Sequence, residues 1–549
     1  MVRSRRMDAL PWVLLGLLLA GAGLLLLSLT AHINFVTDEW NLLFLRPGWG
    51  PDSFLEPFHE HIIVAPTSIY KTLQWLFGMD SSRPFQLVAI AGFLATGVLL
   101  FIWLRRRVGD WAALIGTALI LFLGAAFEDL LWAFQVGYYG SLACGLGALL
   151  ALDRDDRTGD FAAAILLVAS LTFSSLGLPF VAGAATEWLT NPRQRSRRWL
   201  IPAAGAAFYG LWWLGWGHSA ESTFSLANLP DAPRFVFDAA AAGLTSLLGL
   251  ATGDGSEPDQ PHLIWGKLAL LVLMALAAWR LLRLRRIPPG VAVTFVIALT
   301  FFGLSALAQS DLRLPTSSRY QLPGAIFLLL LSAELLRGVK LRAPVLAGAA
   351  VVVVVTSSMG IDLMREQRDT RWVPATAATS VKIGVAAYAA PVLDPGFVLD
   401  LGPGSAVPLD RFLDEIEASG LPGDSAGEIE GKDPVTRADA DRYLIELTAP
   451  QLVGVNPGVS AKKCHRYPAR STAPIMTAPE ADRAGPQSIE IRNRGAVILN
   501  LSLSRFGDPP GSPIGGVNPR STAWLELPVI DSPPPWTVEG DGPFSVCYG

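Results

Sequence analysis

Charged residues are scarce in this chain. Asp, Glu, Lys and Arg make up only 16% of its 549 residues, whereas 51% are hydrophobic and the mean hydropathy is +0.40. This composition excludes an ordinary soluble globular protein and favours one that is largely embedded in a membrane. The net charge of −4 gives no reason to expect a nucleic-acid partner.

Cysteine is rare, and neither internal repeats nor long low-complexity segments stand out. Of three cysteines, Cys144 lies in an apolar run, where we expect it to pack as a small hydrophobic residue. Cys464 and Cys547 lie in a polar tail, where oxidising conditions outside the cell would permit the one bridge available between them. We therefore predict a Cys464–Cys547 disulfide.

Long apolar runs are what the chain has in abundance. The first follows Arg3, Arg5 and Arg6 like a signal peptide, but it is longer than a signal core and lacks a clear small-x-small cleavage site, so we interpret it as a retained helix. About eleven spans fit the sequence, at residues 10–30, 85–104, 111–127, 137–152, 161–174, 177–190, 199–216, 263–280, 290–308, 323–337 and 343–360.

Lys and Arg are distributed unevenly between the two sets of loops. One set carries clusters, at 3–6, 105–107, 154–157, 193–198, 280–286 and 337–342, whereas the opposite set carries scattered cations only. The positive-inside rule therefore predicts a multi-pass protein of the plasma membrane with a cytoplasmic N-terminus and an exterior region after about residue 361. A twelfth span at 233–252 would reverse this order, so we predict an interfacial or re-entrant helix there.

Two adjacent carboxylates, Asp38 and Glu39, follow the first span on the predicted outer side. A carboxylate pair near lipid is costly to maintain, so it needs a reason. One interpretation is the solvated start of a loop. The other is a general base or metal ligand that acts on a lipid-linked substrate, and the sequence leaves both open.

The remaining candidate residues lie in three outer segments. The His59-Glu60-His61 string lacks a recognised metal-ligand spacing, which favours a polar rim over a metal site. Glu128 and Asp129 could simply mark the end of a span, and outer Trp, Tyr and Arg side chains could simply anchor the protein at the membrane interface. The candidate substrate-binding residues are His59, His61, Glu128, Asp129, Trp132, Tyr138, Arg313, Arg319 and Tyr320.

Several of these features together resemble the GT-C superfamily of integral-membrane glycosyltransferases, in particular a pattern in its uncharacterised bacterial members. The resemblance covers about residues 10–360. It consists of one span, an acidic pair, a long first outer loop with a surface helix, and an Arg-Tyr segment before a late span. The matching strings are Asp38-Glu39-Trp40, Glu60-His61 with Pro66, and Ser318-Arg319-Tyr320 with Pro323.

The resemblance implies a fold, a donor and residue roles. The donor would be a sugar on polyprenyl phosphate or pyrophosphate, and the acceptor a hydroxyl of an envelope glycan, lipid or protein. Asp38 would be the catalytic base, supported by Glu39 or Glu60, and Arg319 would hold the lipid phosphate, a task that suits its planar, permanently charged fork. A divalent cofactor, Mg or Mn, stays open.

Two other functions compete with glycosyl transfer. A transporter or flippase of lipid-linked saccharide would handle the same ligand, but no ionisable residue lies near the middle of a predicted span and no inverted repeat is evident. A non-catalytic envelope scaffold would have no need of the carboxylates Asp38 and Glu39.

The fold class is therefore mainly α, with a polytopic GT-C-like domain at 1–363 and a C-terminal extracytoplasmic part. Residues 364–460 form a linker region with short amphipathic helices predicted at 407–418 and 435–448. Residues 461–549 show alternating apolar and polar runs separated by turn residues, which predicts a β-sandwich-like domain.

The charge asymmetry makes a testable prediction about topology. A reporter enzyme that works only in the cytoplasm, fused after Gly549, should be inactive, because an odd number of spans carries the C-terminus across the membrane. The same reporter fused after Arg107 should be active and serves as the control. Strong activity of the C-terminal fusion would contradict the topology.

Overall fold

Helices form most of the described chain. The β-strands lie in its C-terminal part, and isolated β-bridges occur earlier, at Phe58–His61 and Ser310–Arg313. The computed structural model describes residues 2–191, 195–251, 263–311, 313–455, 463–475, 487–508, 511–530 and 532–548. Within them the chain divides into two compact units. The first comprises residues up to Ile33, Arg46–Leu73 and Arg83–Val373, and the second comprises Asn34–Leu45, Gln74–Ser82 and residues from Pro374 onward.

The α-helices, numbered along the chain, are α1 (Val2–Leu29), α2 (Glu39–Phe44), α3 (Pro51–Leu55), α4 (Val64–Phe77), α5 (Arg83–Val108), α6 (Asp110–Leu121), α7 (Phe127–Leu131), α8 (Val136–Leu152), α9 (Arg157–Phe173), α10 (Leu178–Thr190), α11 (Arg195–Arg198), α12 (Leu200–Gly215), α13 (Ala232–Leu247), α14 (Leu263–Leu284), α15 (Pro289–Leu307), α16 (Gln321–Leu335), α17 (Ala343–Gln367), α18 (Val373–Ala389), α19 (Leu409–Ser419), α20 (Ala426–Glu430) and α21 (Pro434–Thr448).

Every predicted span coincides with a helix of the first unit. Among the described residues, six helical segments are long and apolar enough to cross a membrane, or seven if the bent pair α6–α7 counts as one span. Helices α9, α10, α12 and α16 have 17, 13, 16 and 15 residues. They fall short of the roughly 20 residues that a perpendicular span needs, so the number eleven stays a prediction.

Charges and caps set the ends of these helices. Helix α5 ends with Arg105, Arg106 and Arg107, which suit the negative end of the helix dipole. Gly109 follows with a φ of +84°, and Arg105 then pairs with Asp110 at the start of α6 at 2.9 Å. Helix α9 is capped by Asp156, whose side chain accepts a hydrogen bond from the Gly159 amide.

A pair of glycines allows α17 to approach the break between α6 and α7. A Cβ atom on either Gly124 or Gly360 would collide with the backbone of the other segment. Only a residue without a side chain fits such a backbone contact, which in a membrane replaces hydrophobic burial as a source of packing. Residues 233–247 of the segment 233–252 lie in α13, which packs on α14 and α16, and Thr252 lies outside the described residues. The interfacial or re-entrant placement of this segment stays a prediction.

The second unit contains two antiparallel sheets and a hairpin. The strands are β1 (Val398–Asp400), β2 (Ala406–Pro408), β3 (Gln451–Val453), β4 (Lys463–Tyr467), β5 (Ser471–Pro474), β6 (Gln487–Asn493), β7 (Leu499–Ser504), β8 (Ser512–Val517), β9 (Thr522–Leu527), β10 (Thr537–Gly540) and β11 (Phe544–Tyr548). The described strands pair in the orders β3-β9-β6-β11-β4 and β5-β10-β7-β8, with β1-β2 separate.

The predicted sandwich character of the tail is confirmed. Strands β7 and β9 alternate between buried and more exposed residues, as the apolar-polar sequence pattern requires. Their inward side chains, among them Leu501, Leu503 and Leu525, share one apolar core with residues of α18, α20 and α21. The predicted amphipathic helices at 407–418 and 435–448 correspond to α19 and α21.

The predicted disulfide is also confirmed. Cys464 on β4 and Cys547 on β11 are directly opposite one another in neighbouring strands and are bonded. Cys144 is free, as expected for a residue inside an apolar helix.

This bridge should stabilise the sandwich measurably. It closes a loop across a sequence separation of 83 residues, and the chain-entropy model values such a loop at roughly 4 kcal/mol. The double variant Cys464→Ser/Cys547→Ser should therefore lower the unfolding temperature of the full chain, as followed by limited proteolysis of the tail. Cys144→Ser is the matched control. Unchanged protease resistance in the double variant would contradict this role.

Candidate active site

A tight turn positions two of the predicted site residues. Phe58 and His61 exchange backbone hydrogen bonds of 2.9 Å, and His59 between them adopts a left-handed φ of +48°. The turn leads into α4. Because both ends of the turn are tied together, Glu60 and His61 are held at fixed positions instead of lying on a free loop.

Two further turns position Arg313 and Arg319. The Arg313 amide donates to the Ser310 carbonyl at 2.9 Å, and Ser318–Tyr320 forms a 3₁₀ turn at the start of α16. The buried Ser318 hydroxyl donates to the Ala125 carbonyl at 2.7 Å and accepts from the Glu128 amide at 3.1 Å. This hydroxyl therefore ties the arginine-bearing turn to the start of α7.

Glu60 and Arg313 form an ion pair with two contacts. Arg313 Nη1 donates to Glu60 Oε1, and Nη2 donates to Oε2 at 3.2 Å. Burial alone would raise the pKa of Glu60, but the hydrogen bond from Arg313 and the neighbouring charges lower it overall. Glu60 is therefore ionised at neutral pH, and Arg313 remains charged.

Arg319 lies beside a second carboxylate. Its Nε is 3.7 Å from Glu128 Oε2, and Arg371 approaches the other oxygen of Glu128 at 3.5 Å. Burial has the largest single effect and lowers the pKa of Arg319, but Glu128, Tyr320 and Tyr138 together more than offset it, so the pKa is raised overall. Glu128 thus holds cationic side chains from two separate segments in place.

Both arginines line a cavity of about 620 Å³ in the first unit. Its polar lining includes six of the predicted residues, namely Glu60, His61, Tyr138, Arg313, Arg319 and Tyr320. The rest is mostly apolar and includes Leu176, Trp212, Trp213, Phe224, Phe301 and Leu304. A cavity of this size with a few convergent polar groups is typical of a ligand site.

The other predicted site residues lie outside this lining. His59 is exposed on the turn. Asp129 is completely buried in α7. The Trp132 ring packs against Phe134 and Trp372, at centroid distances of 5.2 and 5.9 Å.

Asp38 and Glu39 belong to the second unit. Glu39 is buried at 2% exposure and accepts a hydrogen bond from the Val36 amide at 2.9 Å, so it helps to form the local turn. Asp38 precedes α2 without capping it through its side chain. The Thr37 carbonyl next to it accepts from the Ser405 hydroxyl at 3.0 Å. The catalytic role of Asp38 therefore stays a prediction.

The cavity residues do not fit a divalent metal. Among the described residues, no group of three or more His, Cys, Asp or Glu side chains could hold one. At the cavity Glu60 is already engaged by Arg313, and two guanidinium groups would repel a cation. We therefore assign no step to the Mg or Mn ion that the resemblance left open.

Sequence reasoning missed several lining residues. Ser174 and Ser175 lie at the break between α9 and α10, and the Ser175 hydroxyl donates to the Glu60 carbonyl at 3.3 Å. Trp212 donates through Nε1 to the Leu55 carbonyl at 2.8 Å. Two sequence signals could have pointed to these residues: the polar residues between two predicted spans, and the Trp pair near the end of another span.

Comparison with known proteins gives a distant likeness to a solved structure. No protein-family model matches the sequence, and no curated protein matches it significantly. Among solved structures, the chain is similar to ArnT from Cupriavidus metallidurans bound to undecaprenyl phosphate, with 13% identity and a TM-score of 0.43. The similarity covers 75% of this chain and 89% of that one.

His61 gives the site a predictable response to acid. Burial lowers its pKa from 6.5 to about 4, and Arg313 acts in the same direction although Glu60 opposes both. Between pH 6.5 and about 4 the unfolded chain therefore binds a proton that the folded chain does not, so stability should fall as the pH falls. His61→Asn should reduce this slope by up to about 1.4 kcal/mol per pH unit.

The measurement is the unfolding temperature of the detergent-solubilised protein between pH 4 and 7. His218→Asn, at an exposed histidine of the same cavity, is the control. If His61→Asn and wild type lose stability in parallel on acidification, the assignment of a neutral His61 is wrong.

Proposed function

We propose that the chain is a membrane glycosyltransferase that moves a sugar from a polyprenyl-phosphate or pyrophosphate carrier to a hydroxyl of an envelope glycan, lipid or protein. The observation that carries the proposal is the combination of two arginines with an extended apolar wall in a single cavity. The ligand that suits such a cavity is amphipathic, with an anionic group for the arginines and a hydrocarbon chain for the wall.

The two arginines of the cavity favour a phosphate as the anionic group of the ligand. Arginine binds phosphate oxygens through a planar fork and keeps its charge when partly buried. Arg313 and Arg319 have side-chain exposures of 16% and 39%, so a ligand in the cavity can reach both. Each arginine already lies beside a carboxylate. On ligand binding, the guanidinium group would either leave this carboxylate for a phosphate oxygen or contact both.

The apolar wall favours a prenyl chain and a sugar. Phe301 and Leu304 lie towards the end of α15, and Trp212 and Trp213 towards the end of α12. Leu214 and Leu226, which flank this wall in sequence, are exposed by 69% and 71%, a position that suits contact with lipid. Trp and Tyr rings in the lining provide flat apolar faces of the kind on which sugars stack.

The reaction that follows is a displacement at the anomeric carbon. The acceptor oxygen attacks this carbon, a base takes the hydroxyl proton, and the bond to the phosphate oxygen breaks, so that polyprenyl phosphate leaves with its electron pair. Arg313 and Arg319 would stabilise the negative charge that develops on the departing phosphate.

Two carboxylates compete for the role of base. The sequence resemblance assigns it to Asp38, with Glu39 or Glu60 in support. Glu60 has the advantage of lining the cavity, but while Arg313 holds it, its lowered pKa makes it a weak base. If phosphate drew Arg313 away, the Glu60 carboxylate would become more basic.

The assay measures release of free polyprenyl phosphate from a panel of polyprenyl-phosphate sugars, in membranes supplied with envelope acceptors. Asp38→Asn keeps the shape of the side chain but cannot take a proton, so release should fall by about 10²–10⁴-fold with little change in donor binding. Glu60→Gln is the parallel variant. Full activity of Asp38→Asn together with loss of activity in Glu60→Gln would assign the base to Glu60. If even the wild-type protein released no polyprenyl phosphate from any donor in the panel, the result would favour a flippase.

Arg319 is tested against Arg371. Both guanidinium groups lie near Glu128, but only Arg319 lines the cavity. Arg319→Ala should therefore weaken donor binding and turnover by tenfold or more, because hydrogen bonds to charged groups contribute about 1.5–3 kcal/mol. Arg371→Ala should retain donor affinity. Equal losses in the two variants would show that the effect arises from disturbing Glu128 and not from the phosphate.

A further inference from the structure

A second cavity, of about 540 Å³, lies at the opposite end of the same helices. Helix α15 shows the separation, because Leu304 lines the first cavity and Gly290 lines the second. Fourteen residues at 1.5 Å per residue place them about 21 Å apart. Helices α8 and α10 also contribute to both cavities from opposite ends, so the two cavities are separate sites.

Five arginines line this second cavity, and two of them are fully engaged in holding the helices together. Arg107 contacts Asp153 at 2.9 Å and Glu334 at 2.7 Å, and its guanidinium lies 3.6 Å from the centre of the Trp103 ring. Its side chain is 7% exposed. Arg107 therefore has no capacity left for a ligand.

Arg198 is engaged in the same way. Its side chain is 2% exposed and contacts Glu187 and Asp155, each at 2.8 Å, and Asp160 at 3.2 Å. It also donates to the Leu152 carbonyl at 3.1 Å. Together Arg107 and Arg198 use the cavity's carboxylates: Asp153, Asp155, Glu187 and Glu334 each contact at least one of them.

The positive charges of the remaining three arginines are less fully compensated by carboxylates. Within the described part of the chain, neither Arg280 nor Arg286 forms an ion pair, and Arg337 contacts Glu334 at 3.5 Å. Arg280 donates through Nη2 to the Arg337 carbonyl at 3.2 Å, and its Nε is buried with no described hydrogen-bond acceptor. A buried donor of this kind is costly unless a ligand or water satisfies it.

We propose that this second cavity binds the phosphate of an anionic lipid headgroup, with Arg280 and Arg286 as its principal contacts. A phosphate ester supplies anionic oxygens to two guanidinium groups that form no ion pair with a described carboxylate. Leu149, Leu284 and Val293 in the lining offer apolar surface for the glycerol and the first methylenes. The proposal is independent of the chemistry assigned to the first cavity.

The surroundings favour a lipid over a soluble phosphate. Arg280 and Arg286 flank the end of α14, a helix that is long and apolar enough to span the membrane. Trp279, Leu282 and Ile287 beside them are exposed by 51%, 77% and 65%. Arginines next to exposed apolar side chains are suited to a membrane surface, where they meet anionic headgroups.

The test is lipid binding to the purified full chain in detergent, by native mass spectrometry and by the shift of the unfolding temperature. The probes are phosphatidylglycerol, phosphatidylcholine and inorganic phosphate. Arg280→Gln/Arg286→Gln removes the proposed contacts. Arg283→Gln/Arg285→Gln removes the same charge from the same segment, but neither residue lines the cavity, and Arg283 lies over the Trp279 ring.

We expect wild type to prefer phosphatidylglycerol over phosphatidylcholine, Arg280→Gln/Arg286→Gln to bind it at least tenfold more weakly, and Arg283→Gln/Arg285→Gln to bind it within about twofold of wild type. Competition by inorganic phosphate would show that the phosphate group suffices, and its failure to compete would show that the lipid portion contributes; both support the site. Equal losses in the two double variants, or no preference for phosphatidylglycerol in wild type, would overturn it. The unfolding temperature without lipid verifies that each variant is folded.

Discussion

Pairing of arginine with carboxylate at the ends of the helices is the constraint on which the rest of the first unit depends. An ionic group that leaves water must find partners, and removing one partner of a buried pair costs more than the pair contributes. Arg198 illustrates this, since three carboxylates and a main-chain carbonyl surround a side chain that is 2% exposed. Such contacts fix where helices end and where cavities can open.

The two cavities differ in how much of the positive charge of their arginines is neutralised by carboxylates. At the first, Glu60 and Glu128 hold Arg313 and Arg319 in place, so the cations are prepositioned and partly compensated before a ligand arrives. At the second, carboxylates are used by Arg107 and Arg198, and the arginines at the end of α14 remain available. Prepositioning lowers the entropy lost on binding, which benefits an anionic ligand at either site.

Local patterns in the sequence predicted much of this architecture. Apolar runs predicted a helix at each span position, alternation predicted the sandwich, and two cysteines in the polar tail predicted a bridge. Grouping of Glu60 with Arg313 and Arg319 in a single site was anticipated because all three lie in loops on the same predicted side. The contact between Glu60 and Arg313, separated by 253 residues, could not be predicted, because it depends on how the spans pack.

Other features were beyond sequence reasoning for the same reason. Glu39 is adjacent to Asp38, but its hydrogen bond to the Val36 amide gives it a structural role that adjacency does not reveal. Ser174, Ser175 and Trp212 carry no recognised motif and reach the cavity only through the packing of α9, α10 and α12. The number of spans is uncertain from sequence because several helices are short and apolar throughout, so their ends carry little signal.

A crystal or cryo-EM structure of the chain with a polyprenyl phosphate bound would show directly whether the first cavity is the donor site. We expect the phosphate to occupy the 620 Å³ cavity within hydrogen-bond distance of Arg319, with Arg313 turned at least partly from Glu60 towards it. We also expect the prenyl chain to run along the wall formed by Trp212, Phe301 and Leu304. A phosphate bound elsewhere, with the Glu60–Arg313 pair intact around an empty cavity, would show that this cavity is not the donor site.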